Sequence, residues 1–247
     1  MKMVYSATGL FSVAAALLLG VHTACAAQTT NIRPELSQIK AEIITLAQSF
    51  AGQGDPDFSK QKAFDTLIQK LLLANPQPPL KERLPLLHGA WKQVWGPYDY
   101  RNKQRGIDPE LGVDEIYQVL FAGGYYYNVS PLYTDGDRRR ERIGLLRGEF
   151  KFDAERPNVL LVRFTQYPGL SARPKPPDSL PDLAAQLESG TLKSDASIVP
   201  TWVVRLFFGS GALNEVYTDA DLRILYGADS NRFENPALYI MTRVAQK

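Results

Sequence analysis

The sequence predicts a mainly β protein: an antiparallel meander that closes into a barrel, with N-terminal helices packed outside it or capping one end. Three observations carry this. After Trp91 the apolar residues recur with a period of two, in eight or nine short runs separated by turn residues. Upstream, two amphipathic patterns of helical period stop at Gly52 and Gly54 and at the prolines between Pro76 and Pro79. Finally, Leu213 to Gly227, L-N-E-V-Y-T-D-A-D-L-R-I-L-Y-G, has apolar residues alternating on either side of Asp219-Ala220-Asp221, which is hairpin chemistry.

Taken in order, residues 1–26 have the make-up of a secretory signal. Lys2 supplies the positive end, Leu10 to Val21 an apolar run, and Ala24-Cys25-Ala26 a small-x-small cleavage site. Cleavage there predicts an exported product, in the periplasm or an equivalent extracytoplasmic compartment. In a lipoprotein Cys25 would be acylated instead, but His22 stands where that signal wants an aliphatic residue. Residues 27–79 form a helical segment. Pro34 opens a helix with Leu36, Ile39, Ile43, Leu46 and Phe50 on one face, and a second follows with Phe64, Leu67, Ile68, Leu71 and Leu72. Residues 80–247 form the barrel domain. Its candidate strands are Ala90 to Trp95, Glu115 to Phe121, Tyr125 to Ser130, Arg142 to Phe152, Asn158 to Tyr167, Thr201 to Phe208, Leu213 to Thr218, Leu222 to Tyr226 and Ala237 to Val244. A Pro- and Ser-rich insertion at 168–200 interrupts them, with one helical stretch around Leu183 and Leu187. Ala237 to Val244 is expected to close the barrel against an earlier strand, because an open meander leaves reactive edges.

Several of these strands are apolar on both faces. Leu160, Val162 and Phe164 oppose Val159, Leu161 and Tyr167, and Trp202, Val204, Leu206 and Phe208 oppose Val203 and Phe207. Two apolar faces need two covers: a barrel core inside and the helices outside. An interior left partly unfilled would receive an apolar guest instead.

Composition narrows the chemistry. Removing residues 1–26 takes away one Lys, the only Cys and one of the two His, leaving 27 basic against 26 acidic residues. A balance near zero lacks the basic footprint that nucleic acid requires. Without Cys there is no disulfide frame and no thiolate metal site, and His88, alone and beside Gly89, reads as a turn residue rather than a base or ligand. Gly209-Ser210-Gly211 lacks the third glycine of a dinucleotide loop and precedes a strand. The carboxylates Asp108, Glu110, Asp114 and Glu115 occupy a Pro/Gly loop, and Asp135-Gly136-Asp137 has the composition of a hairpin turn. No catalytic residue, metal site or cofactor is predicted, so the reading is non-enzymatic.

The Leu213–Gly227 string resembles the C-terminal signature of the plastid lipid-associated protein (PAP/fibrillin) family, roughly L-x-x-x-Y-x-D-x-x-L-R-I-x-R-G, with Tyr226 where that family has Arg. Leu71-Leu72-Leu73-Ala74-Asn75-Pro76, followed by Leu86-Leu87-His88-Gly89-Ala90-Trp91, resembles its N-P and L-L-x-G-x-W. Ile116-Tyr117-Gln118 with Asn128 is a third match, and together they span Phe64 to Val244. The resemblance implies a lipocalin-like antiparallel β-barrel that binds, stores or carries a lipid, quinone, carotenoid or other isoprenoid. It marks Asn75, Pro76, Gly89, Asp219, Arg223 and Gly227 as structural motif positions. Trp91, Trp95, Tyr117, Phe164 and Trp202 become candidate lining, with Gln118 and Asn128 orienting the guest. Tyr98, Tyr100, Phe121 and Tyr125 to Tyr127 belong to the same aromatic concentration. Arg223 has two expected roles: a charge-assisted pair with Asp219 that pins the hairpin, or a cation at the cavity mouth holding a polar head.

Arg138, Arg139, Arg140 and Arg142 form the one basic cluster. A solvated hairpin tip is the plain reading, and peripheral contact with anionic lipid the sharper one, at about 1 kcal/mol per basic residue near the surface. A monomer is expected. The alternative from another class is a structural or interaction protein of the cell envelope whose barrel is filled by its own side chains.

Overall fold

The structure, a computed structural model, describes residues 34–50, 58–96, 112–113, 116–133, 141–166, 185–186, 189, 191, 209–228 and 235–244. The candidate strand Thr201 to Phe208, the signal segment and nearly all of the 168–200 insertion lie outside them.

Among the described residues, three helices precede the strands: α1 (residues 34–49), α2 (Asp65–Ala74), led by a tighter turn over Lys60–Phe64, and α3 (Leu80–Leu87). The nine strands among the described residues are β1 (Gly89–Trp95), β2 (Gly112–Val113), β3 (Tyr117–Phe121), β4 (Tyr125–Tyr133), β5 (Glu141–Phe152), β6 (Val159–Gln166), β7 (Ser210–Thr218), β8 (Leu222–Ala228) and β9 (Ala237–Arg243). They run β4-β3-β1-β9-β8-β7-β6-β5, and β5 pairs again with β4, so eight antiparallel strands close into a barrel. The two-residue β2 continues the line of β3 along the far end of β4. This is a lipocalin-like barrel, the closed antiparallel meander that the strand pattern predicts and the fold that the resemblance implies. Its seam is β1 against β9, with Trp91 opposite Arg243.

Where side chains are described, the period of two divides the strands between inside and outside. Outside, α1 and α2 lay Ile39, Ile43, Ala47, Phe64, Ile68 and Leu71 on Trp95, Tyr217, Leu222, Ile224, Leu238 and Ile240. Two helices of modest propensity gain their stability from this face, since fully burying a Leu or Ile contributes roughly 1.5–3 kcal/mol. Inside, Trp91, Leu120, Tyr126, Leu160, Val162, Leu225 and Met241 form the interior cluster, joined by Leu80 and Leu87 of α3.

α3 is absent from the sequence prediction. Pro85 lies within it, removing one helical donor, and its buried positions Leu80, Arg83 and Leu87 include a cation, so no apolar stripe announces it. It seals one end of the barrel. Arg83 donates to Thr218 Oγ1 at 3.2 Å, to Asn158 Oδ1 at 3.4 Å and to the carbonyl of Glu215. Arg243 binds the carbonyls of Leu86 and His88 at the helix C-terminus, where unsatisfied acceptors and the helix dipole both favour a cation. His88 is the C-terminal cap, as a turn residue should be; burial and then the nearby Arg243 charge hold its imidazole below the usual histidine range. Gly89 follows at φ 109°, and an added Cβ would come within 2.9 Å of the Arg243 guanidinium.

The turns β3–β4, β5–β6 and β7–β8 lie at the sealed end with α3, as the antiparallel register requires. The opposite end is formed by the C-terminal ends of β1, β4, β6 and β8.

Gly148 shows how tightly the interior is built. The Tyr126 ring lies on it, and an added Cβ would stand 2.6 Å from the phenol oxygen. Gly148→Ala is therefore expected to destabilise by about 1–3 kcal/mol through overpacking, measured by urea unfolding. An unchanged midpoint would show that the ring moves aside freely.

Candidate functional site

The inward positions define the candidate site. Pairing of Trp91 with Gln118, of Gln118 with Asn128 and of Arg223 with Met241 places all five on interior positions of β1, β3, β4, β8 and β9. Arg223 and Glu215 are both fully buried. The guanidinium grips the carboxylate with two bonds, Nε to Oε2 at 3.0 Å and Nη2 to Oε1 at 2.5 Å, the bidentate geometry in which Arg and carboxylate match best. Its Nη1 donates to Gln118 Oε1 at 2.6 Å and approaches the Met241 sulfur at 3.7 Å. Gln118 in turn donates from Nε2 to Asn128 Oδ1 at 3.0 Å. Beside this row stands Tyr126, whose phenol burial pushes well above the ordinary tyrosine range, so it stays protonated. Its ring meets Phe164 edge to face at 6.2 Å.

Around the polar row the lining is apolar. Phe164, Leu213 and Tyr239 pack against the interior cluster yet keep part of their surface accessible. Phe164 is thus an interior residue together with Trp91, Gln118, Asn128 and Arg223. Two other candidates are not. Trp95 follows an irregularity in the β1–β9 register and turns outward beneath α1 and α2, against Phe64 at 5.0 Å and Phe50 at 6.5 Å. Tyr117 lies on the outer face, one step out of phase with Gln118, in a cluster with Val119, Phe121, Val129 and Leu145. In that cluster Phe121 stacks on Tyr125 at 4.7 Å, and the Arg147 guanidinium lies 5.1 Å from the Tyr125 ring. Trp202, Tyr98, Tyr100, Asp108, Glu110, Asp114, Glu115, Asp135, Asp137 and Arg138 to Arg140 lie outside the described residues. Arg142 falls in β5, with only its backbone described.

The expected Asp219–Arg223 pair is corrected by the structure. Arg223 is opposite Thr218 and points inward, whereas Asp219 sits at the turn beyond the strand. The partner of Arg223 is Glu215, eight residues back. Asp219 holds the hairpin in another way: its Oδ1 accepts the backbone N–H groups of Asp221 and Leu222, both at 2.9 Å. Its Oδ2 takes the Tyr217 hydroxyl at 2.6 Å and Lys40 Nζ of α1 at 2.8 Å. Asn75, at the end of α2, donates to the same Tyr217 oxygen at 2.9 Å. The motif positions Asn75 and Asp219 are thus two ends of one clamp that fastens α1 and α2 to the barrel.

This clamp titrates. Burial works to raise the Asp219 carboxyl, but the bonds from Lys40, Tyr217 and the turn amides outweigh it, and the group lies below the ordinary aspartate value of 3.8. A folded-state value below the unfolded one contributes stability that is present above the unfolded value and lost as pH falls through the folded one. Stability is expected to decline on acidification below about pH 4, and Asp219→Asn to flatten that decline; parallel acid-unfolding curves for the two proteins would remove Asp219 from the cause.

Among the described residues no group of three His, Cys, Asp or Glu is placed to hold a metal ion. An open groove of about 400 Å³ lies on α1, lined by Gln38, Ala41, Glu42, Thr45, Leu46 and Ser49; it is separate from the interior. The fold and interior thus define a lipocalin-like barrel sealed at one end, with a charge-balanced polar row set in an apolar lining. No family model, curated protein or solved structure matches the chain.

Proposed function

We propose that the protein binds a small apolar molecule inside the barrel, storing or carrying it without chemistry. The observation that carries this reading is the accessible surface of Phe164, Leu213 and Tyr239 on the inward side of a closed barrel. A ring of eight strands sealed by α3 ordinarily either fills its interior or holds one small ligand, and apolar side chains left accessible inside a closed wall favour the second. The ligand class of lipid, quinone, carotenoid or other isoprenoid comes from the PAP/fibrillin resemblance, which is part of this proposal. So are the exported location, which amino-terminal sequencing of the mature protein tests, and peripheral contact of Arg138, Arg139, Arg140 and Arg142 with anionic membrane.

Native mass spectrometry of protein from its own host, with organic extraction of the bound mass, tests the binding reading. A copurifying apolar compound is expected, displaced by a fluorescent alkyl probe in titration. The side-chain-filled alternative draws support from Trp91, Leu160 and Leu225, at 0%, 0% and 3% exposure, which leave no surface for a guest at their level. Failure of every alkyl probe to bind would establish that alternative over the one proposed.

A further inference from the structure

We infer that the barrel prefers a ligand whose polar end is an uncharged carbonyl, and discriminates against carboxylates. The inference rests on the interior-binding reading and deepens it.

The reason is the direction of the hydrogen-bond relay from Arg223. A guanidinium can only donate, so Gln118 must present its oxygen to Arg223 Nη1, at 2.6 Å. Gln118 then presents its amide nitrogen to Asn128, whose oxygen accepts at 3.0 Å. The orientation of both amides follows from the cation at the head of the row, and the remaining end is the Asn128 Nδ2 group. It carries two N–H donors that bond to no described residue. Two positions along β4, on the same inward face, the Tyr126 hydroxyl likewise bonds to no described residue. A bond chain that begins on a cation polarises its members, which strengthens the terminal donor.

What the row offers is therefore donors, and the two charges within it cancel. Arg223 is already balanced by both oxygens of Glu215, each partner at 0% exposure. Arg83, the other fully buried cation among the described residues, directs its bonds to Thr218, Asn158 and the Glu215 carbonyl at the sealed end, with its Nε unpartnered there. A carboxylate brought to Asn128 would leave water, and Arg223, the cation at the head of this relay, is already taken up by Glu215, whereas a ketone, quinone or ester oxygen accepts the same N–H groups at little desolvation cost. Arg223, expected either to pin the hairpin or to hold a polar head, is on this geometry engaged by Glu215 and Gln118, and so acts on a guest through the relay.

Three probes with one fluorophore separate the possibilities: dansylaminoundecanoic acid, its methyl ester, and the N-undecyl dansylamide that lacks a head. At neutral pH the ester is expected to bind the wild-type protein about ten-fold or more tightly than the acid. The gap should close as pH falls through the ordinary carboxylic range, about 4 to 5, where the acid becomes neutral. Asn128→Leu should remove the advantage of ester over headless probe while retaining headless binding, which also certifies that the variant is folded. Should Asn128→Leu not fold, the wild-type comparison decides. Acid binding as tight as ester, or ester no tighter than the headless probe, overturns the inference and leaves the interior-binding reading standing. Failure of all three probes overturns both.

Discussion

Replacing Glu215 alone by Ala is expected to cost about 3 to 5 kcal/mol of unfolding free energy, because it leaves Arg223 charged and unpaired in the interior. Both members of the pair are at 0% exposure, so water cannot take over the role of the lost carboxylate. Exchanging both together, Glu215→Leu with Arg223→Met, is expected to cost far less than the sum of the two single changes. The desolvation of two charges disappears along with their attraction, and the volume remains filled. Urea unfolding of the two single variants and the double variant forms the cycle. A Glu215→Ala loss below about 1 kcal/mol would put the pair in the class of solvated surface bridges, contrary to its position.

Trp91→Ala is expected to cost about 3–5 kcal/mol as a large cavity in the core. Trp91 is fully buried, and three parts of the structure meet on it. Its indole N–H donates to the Leu87 carbonyl of α3 at 2.8 Å, the Arg243 guanidinium lies 3.8 Å over its ring, and its backbone belongs to the β1–β9 seam. Trp91→Phe keeps most of the packing and loses the indole bond, a change of about 0.5–1.5 kcal/mol beyond the packing difference. Hydrogen exchange should show α3 loosening more than β5 and β6 in Trp91→Ala. Uniform loosening would mean that α3 is an integral part of the cooperative unit rather than a plug held by Trp91 and its neighbours.

The barrel was legible in the sequence because a period of two survives in nearly every strand, and each boundary is marked by turn residues such as Asp219-Ala220-Asp221. The outer helices were legible from Ile39, Ile43 and Leu46 recurring on one face. The interior assignment was legible only in part. Gln118 and Asn128 point inward with Trp91, but Tyr117 and Trp95 do not. A one-residue step changes the face of a strand side chain, and the irregularity between Gln93 and Trp95 resets the phase of β1. The Arg223–Glu215 pair went unseen for a related reason. Proximity in the motif favoured Asp219, while the true partner faces Arg223 only after the irregularity between Glu215 and Tyr217 brings two strands into register. The clamp joining Lys40, Asn75, Tyr217 and Asp219 links residues up to 179 positions apart, beyond the reach of any local pattern.

The double attachment of Arg243 bears on how the chain is made. β9 is made after all the other described strands, and Arg243 is its final residue. Until it emerges, β1 lacks a neighbour on one side, β8 lacks one on the other, and the carbonyls of Leu86 and His88 lack their cation. Until β9 is made the growing polypeptide therefore carries two open sheet edges, the condition in which β chains pair with strangers. A chain stopped before Ala237 would be unclosed and unplugged at once, so truncation there should yield aggregates rather than a slightly weakened protein.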